Sequence, residues 1–347
     1  MCVLYMIPHL LSNVLHRYFQ HKYPMQCEIL EYKSQREWNL DNFLSDPAFN
    51  ANIQSDWPLV VTTMSHVTPG TDVVAYTQFS EGKKRGKPSS LYYSTSNATS
   101  SYIGGKLGLT GPLVHIHAAC AGTLYSFYIA ALMSLDLQTP VVVFAGDNFN
   151  VDYQLWMFNS YGALDQATGL PFDKSSKGLR MGVGSSIFIV KHPSVKSKLD
   201  AKAVIKSFSF YTRSDLLVAP GTSDDIISHF SHIDYKSIEL WNAHATGTPV
   251  GDIVEYEFFS KSCKHDIPIV GYKGHLGHCM SGAGGMEIAM MLDDKKANRL
   301  TPNLMPTEKI VNDDRIITES TSFNYRKILK TSLAFGGKTV VCEIDLN

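Results

Sequence analysis

Residues 111–146 read GPLVHIHAACAGTLYSFYIAALMSLDLQTPVVVFAG. A short apolar run ends at IHAAC, a helical run starts at AGTLYSF and lasts to Gln138, and a second β-branched run, TPVVVFAG, follows. Short, continuous apolar runs of this kind suit strands covered on both faces. Strand, helix and strand in that order form the repeating unit of an α/β fold. At the junction of the first strand and the helix stands Cys120.

The same alternation continues outward. WPLVVTTM precedes this stretch, and SSIFIVKH, IELWNAH, IPIVGYKG and TVVCEIDLN follow it as strand candidates. PVGDIVEYEFFSKSC and GAGGMEIAMMLDDKKA read as helices between them. The expectation is an α/β protein with a mostly parallel sheet. No strand stands out in the first sixty residues.

The chain has 347 residues, 44% hydrophobic and 18% charged, enough for one large core or two fused halves. Its formal net charge of −1 supplies no global field to attract nucleic acid or an anionic membrane. A local basic run, GKKRGK, carries Lys83, Lys84, Arg85 and Lys87, either as a solvated loop or as a docking patch for an acidic partner. The six cysteines show no CxxC spacing, which fits a reducing compartment, read here as the cytoplasm. The opening MCVLYMIPHLLSNVLHRYF lacks a basic start and a cleavage site, so it reads as a buried or amphipathic element and not a signal sequence. No apolar run is read as long enough to span a bilayer.

Chemistry-bearing residues gather at strand ends. Cys120 precedes Ala121, Gly122 and an apolar helix, so helix dipole and free N–H groups favour its thiolate; the alternative is a buried structural cysteine. NAHATGTPVGD puts His244 at a strand end, with Asp252 and Glu255 opening the next helix. YKGHLGHCMSGAGG holds Lys273, His275 and His278; its glycines argue against a helical metal pair, so no metal site is expected. LAFGGKT, with Phe335, Gly336 and Gly337, would let backbone approach a ligand and aim an N–H at an oxyanion.

In this order, the set resembles the β-ketoacyl synthases, condensing enzymes of the Cys-His-His type. The resemblance runs from YIGGKLGLTGP at Tyr102 to the C-terminus and includes GALDQATGLPFDKSSKGLRMGVGSS and RLTPNL. It implies a thiolase-like α/β fold, two similar βαβαβ-type halves stacked in α-β-α-β-α layers. One unit would span residues 1–347, with the nucleophile in about 1–190, both histidines in about 200–347, and a shortened, atypical segment at 1–60. It implies Cys120 as the acylated nucleophile, His244 and His278 as the decarboxylation pair, and Lys273, Glu255 and Asp252 as supporting groups. The N–H groups of Cys120 and Phe335 would form the oxyanion hole, with Phe335, Gly336 and Gly337 at the gate. The implied reaction is decarboxylative Claisen condensation of an acyl thioester with a malonyl thioester on acyl carrier protein, in fatty-acid-like or polyketide-like biosynthesis. No cofactor is implied beyond the substrate's phosphopantetheine, or coenzyme A. Implied partners are the carrier protein and a second subunit, as a homodimer or a heterodimer with a chain-length-factor-like chain. Two readings stay open beside it: decarboxylation or acyl transfer without condensation, and a non-catalytic partner subunit.

The chain departs from the family pattern at Ala245 and Gly247, at Cys279 to Gly284, at Val183 and at Leu333 to Thr339.

Overall fold

The computed structural model describes residues 25–64, 77, 80–82, 95–148, 152–213, 215, 221–304 and 308–347. Ten strands lie in the order β3-β2-β4-β5-β1-β6-β10-β9-β7-β8. They are β1 (Cys27–Gln35), β2 (Leu59–Thr62), β3 (Leu113–Ile116), β4 (Val141–Asn148), β5 (Val183–Lys191), β6 (Ala203–Thr212), β7 (Leu240–Asn242), β8 (Ile269–Val270), β9 (Lys327–Ala334) and β10 (Lys338–Leu346). The described helices are α1 (Leu40–Leu44), α2 (Pro47–Asn50), α3 (Ser96–Lys106), α4 (Gly122–Leu137), α5 (Asp152–Ser160), α6 (Ser223–His229), α7 (Pro249–Ser262), α8 (Lys273–Leu276) and α9 (Ala283–Lys296).

The strand order hides a duplication. Read outward from the β1–β6 seam, each half runs first, fifth, fourth, second, third. Pairing directions repeat as well. β2 is parallel to β3 and β4, as β7 is to β8 and β9, whereas β5 and β10 run antiparallel to their neighbours. The seam joins only Cys27–Ile29 to Ala203–Ile205. The sheet is therefore mixed, not mostly parallel. The expectation failed because β1, β6 and β9 did not stand out in the sequence, and β1 and β6 pair antiparallel throughout.

Three separate cores give the layers. Successive residues of β4 point to opposite faces: Val141 and Val143 enter the central core, Val142 and Phe144 an outer one. β5 divides the same way, with Phe188 and Val190 inward and Ile187 and Ile189 outward. The first outer core adds Leu40 and Phe43 of α1, Phe49 of α2 and Ile103 of α3. The second joins Ile226 of α6 and Phe258 and Phe259 of α7 to Trp241, Leu329 and Val341. Between the two halves of the sheet lie α4 and α9, which carry Leu124, Phe127, Ala130, Met286, Ile288 and Met291 into the central core. This is the α-β-α-β-α stack of the thiolase-like fold.

Burial on both sides explains the even apolar character of α4. By length and composition alone the helical run Ala119–Leu137 would suffice to cross a bilayer, contrary to the reading above. In this fold it packs between the two halves of the sheet, with Tyr125 and Tyr128 against Phe210 and Phe208 of β6.

The central helices also share an entry. A 3-10 turn, Ala119–Ala121, leads into α4, and another, Met280–Gly282, leads into α9. Each begins on a non-glycine residue in the left-handed region, Ala119 at φ 46° and Met280 at φ 45°. Cys120 and Ser281 thus occupy equivalent places. The turns interlock: Thr123 donates to the Ser281 carbonyl at 2.7 Å, and Gly285 N–H donates to Thr123 Oγ1 at 3.1 Å. This crossing brings the end of one half's chain beside the other's.

Candidate active site

Cys120 comes from the turn before α4, His244 from the loop after β7, and His278 from the segment between α8 and α9. All three are buried. His278 Nε2 lies 3.1 Å from Cys120 Sγ, and the two imidazoles stand 5.5 Å apart, edge to face. The reactive atoms of the trio lie within 4.8 Å of one another.

Each loop is held by buried acids. Glu255, on the first turns of α7, accepts from the N–H groups of His244 and Ala245 at 2.7 Å each and from the Thr331 hydroxyl. Asp252 accepts from Phe172, Thr246 and Gly247 N–H groups, closing the loop that follows His244. Ala245 sits at φ 31°, so this loop is strained as well. Asp147, at the end of β4, accepts from Ser281 N–H at 2.7 Å and from the Ser281 hydroxyl, fixing the turn after His278.

Lys273 sets the chemistry of His244. Its ammonium donates to Nδ1 at 3.2 Å and to the His244 carbonyl, and pairs with Glu287 at 2.5 Å. With Nδ1 accepting, the ring's proton sits on Nε2 as a donor. No partner meets His278 Nδ1 among the described residues, so its tautomer is not fixed and Nε2 can accept or donate. Burial first, and then the Lys273 and Lys330 cations, hold both imidazoles well below the ordinary histidine range. They are neutral at physiological pH.

The thiol overturns one expectation. Burial pushes Cys120 up to about 12, against the pull of Lys273 and of its own backbone N–H. The helix terminus does not by itself yield a resting thiolate, because water is excluded. The sulfur reacts instead as a thiol beside a neutral base, His278.

His275 does not join the site. Its Nε2 bonds the Pro302 carbonyl at 2.8 Å, which divides the HxxH pair between a structural and a reactive role. The trio itself is compact enough for a metal ion, yet the ammonium of Lys273 against His244 would repel a second cation there.

Phe335, Gly336 and Gly337 form the turn between β9 and β10, with both glycines at positive φ. A Cβ on Gly337 would collide with the Arg213 backbone, so glycine is required. β9 lies beside the nucleophile turn, where the Ser332 hydroxyl donates to the Cys120 carbonyl at 3.0 Å. The Phe335 ring is 39% exposed and stacks on Phe158 of α5 at 6.2 Å. Lys83, Lys84, Arg85, Lys87 and the N-terminal stretch lie outside the described residues.

Sequence reading missed Asp147, Glu287 and Lys330. Glu287 is 1% exposed, and its second oxygen pairs with Lys330, itself 0% exposed, at 2.7 Å. The available signal was a charge set within a largely apolar run, Glu287 in AGGMEIAMM and Lys330 in KILKTSLA.

Residues 227–304 match the family described as "Beta-ketoacyl synthase, C-terminal domain". The chain is 26% identical over 303 residues to 3-oxoacyl-[acyl-carrier-protein] synthase I, chloroplastic, of Arabidopsis thaliana, covering 79% of this chain and 64% of that protein. It is 27% identical over 243 residues to a non-reducing polyketide synthase of Aspergillus terreus, covering 60% of this chain and 9% of that protein. It therefore spans under two thirds of these relatives' length. In fold it is similar to a β-ketoacyl synthase from Burkholderia phymatum, with TM-score 0.75, 19% identity, and 84% and 76% of the two chains covered. A type II polyketide ketosynthase, solved with its acyl-carrier protein and bound to the hexaketide, gives TM-score 0.74 at 15% identity, with 93% and 100% covered.

Proposed function

We propose that the chain is a β-ketoacyl synthase, the family its sequence resembles, and that it catalyses decarboxylative Claisen condensation between an acyl thioester and a malonyl thioester carried on acyl carrier protein. The observation that carries this reading is the 3.1 Å approach of His278 Nε2 to Cys120 Sγ, with His244 completing a buried trio.

In the first half-reaction Sγ attacks the acyl thioester while its proton passes to His278 Nε2. The tetrahedral oxyanion is held by backbone N–H groups of Cys120 and Phe335. Its collapse expels the carrier's thiolate, which takes the proton back. In the second, the malonyl carbon–carboxylate bond breaks, CO2 leaves, and the electron pair moves to the thioester oxygen as an enolate. His244 Nε2–H, and His278 once its ring proton sits on Nε2 instead of Nδ1, donate to that oxygen in a site without bulk water. The enolate carbon attacks the acyl-cysteine carbonyl, the new C–C bond forms, and Cys120 departs as a thiolate that takes a proton from water as the product leaves.

The acyl carrier protein is the proposed partner, and the basic run at Lys83 to Lys87 is its proposed contact. We take the assembly to be a dimer, with a second copy or a related chain. A reducing compartment is supported by the free, buried cysteines Cys27, Cys120, Cys263, Cys279 and Cys342. The cytosol is one such compartment, and the chloroplastic relatives name another. A partner subunit without activity would have no use for a nucleophile, a base and a lysine-fixed tautomer in one buried cluster. The test is Cys120→Ala: covalent acylation is abolished and ketoacyl product disappears.

A further inference from the structure

The buried charges behind the two histidines are not paired one to one. Glu287 offers Oε1 to Lys273 at 2.5 Å and Oε2 to Lys330 at 2.7 Å, so one carboxylate serves two cations. Lys330 has further neighbours but no second ion-pair partner among the described residues. It donates to the Thr331 carbonyl at 2.9 Å, and beside it in register stand Asn242 of β7 and Cys342 of β10, both neutral. Ile328 and Leu329, the residues before it, are fully buried. A buried ion pair is a poor source of stability compared with a well-packed apolar side chain, so fold stability does not explain a lysine here.

We propose that Lys330 is a positioning residue of the active site: by taking one oxygen of Glu287 it keeps that carboxylate from neutralising Lys273, whose ammonium holds His244, and it adds a second cation behind both imidazoles. Lys273 pulls the Cys120 thiol down and Glu287 pushes it up, so a carboxylate drawn wholly onto Lys273 would offset more of that pull. With Lys330 the three groups carry a net positive charge. That charge favours the thiolate as it forms on Cys120 and opposes protonation of His244 and His278. Burial is the larger cause in each case, and Lys330 acts in the stated direction on both histidines. The titratable and charged groups around the imidazoles are Cys120, Asp147, Asp252, Glu255, Lys273, Cys279, Glu287 and Lys330. Asp252 and Glu255 are held by backbone N–H donors, and Asp147 by donors around Ser281 and Thr63. That leaves Glu287 as the acid shared between lysines.

The inference rests on Cys120 as the nucleophile, and its test needs no acyl or malonyl substrate. The rate of Cys120 alkylation by iodoacetamide is measured on the full chain between pH 7 and 9, with the site located by peptide mass spectrometry. Lys330→Met is expected to slow alkylation about threefold or more, and Lys330→Arg to restore it. Where Lys330→Met does not fold, Lys330→Gln, which keeps a donor for Glu287 without the charge, is read the same way. Wild-type rates in the uncharged variants would overturn the proposal, as would Lys330→Arg slowed as much as they are. Loss of condensation activity alone bears on the proposed reaction and leaves this result readable.

Discussion

Lys273 makes the sharpest division of labour at the level of single residues, because its ammonium determines which nitrogen of His244 carries the proton. Lys273→Met leaves Glu287 paired with Lys330, so the fold is retained while His244 loses its fixed tautomer. Condensation should fall about 100-fold while acylation of Cys120 falls far less, as single-turnover assays of the two half-reactions would show. Burial and the lysines lower both imidazoles, and a base so depressed stays neutral as pH falls through the usual histidine range. The acid limb of kcat/KM should therefore lie below that range. Cys120, His244 and His278 were legible because each stands where a strand or a glycine-rich loop turns toward a helix. Glu287 and Lys330 were not, since nothing in the sequence says which charges of α9 and β9 face inward. The Cys120 thiol, raised and not lowered, was misread for a related reason: a helix terminus is visible in a sequence, and the exclusion of water around it is not.

Elements matter through the two matched turns. Gly122 and Gly282 lie at their ends, where a Cβ on Gly122 would strike Thr62 and approach Ser281 Cβ at 2.9 Å. On Gly282 it would reach Gly146 Cα at 2.6 Å, backbone against backbone, with no flexible side chain to yield. Gly282→Ala should cost about 3 kcal/mol of stability in denaturant unfolding. Among strands, the seven read in advance are continuous apolar runs, several of them the parallel strands of each half. β1, β6 and β9 escaped notice. CEILEYKSQ and AVIKSFSFYT mix polar with apolar residues, as half-exposed antiparallel strands do, and KILKTSLA carries two lysines, one of them buried.

Across the whole molecule, duplication places a reactive turn from each half at the central layer, and one half supplies the sulfur while the other supplies both rings. The repeat is invisible as sequence because only topology and turn geometry are shared. Buried acids tie these halves together, and they make stability depend on pH. Burial raises Asp252 from 3.8 to about 7, against its N–H donors. Its contribution is therefore whole at low pH and is lost as pH rises toward 7, at about 1.4 kcal/mol per unit. Asp252→Asn should flatten the stability profile of wild type between about pH 4 and 7. Reversing the charges of Lys83, Lys84, Arg85 and Lys87 should raise KM for carrier-bound substrate about tenfold at low salt and leave kcat unchanged. The central claim is tested most directly by intact-protein mass spectrometry after mixing with acyl-carrier thioester and then malonyl-carrier thioester. The account predicts one acyl adduct on wild type, none on Cys120→Ala, and its discharge as a ketoacyl product when malonyl donor is added; an adduct-free wild type, or an adduct that malonyl donor never discharges, would contradict it.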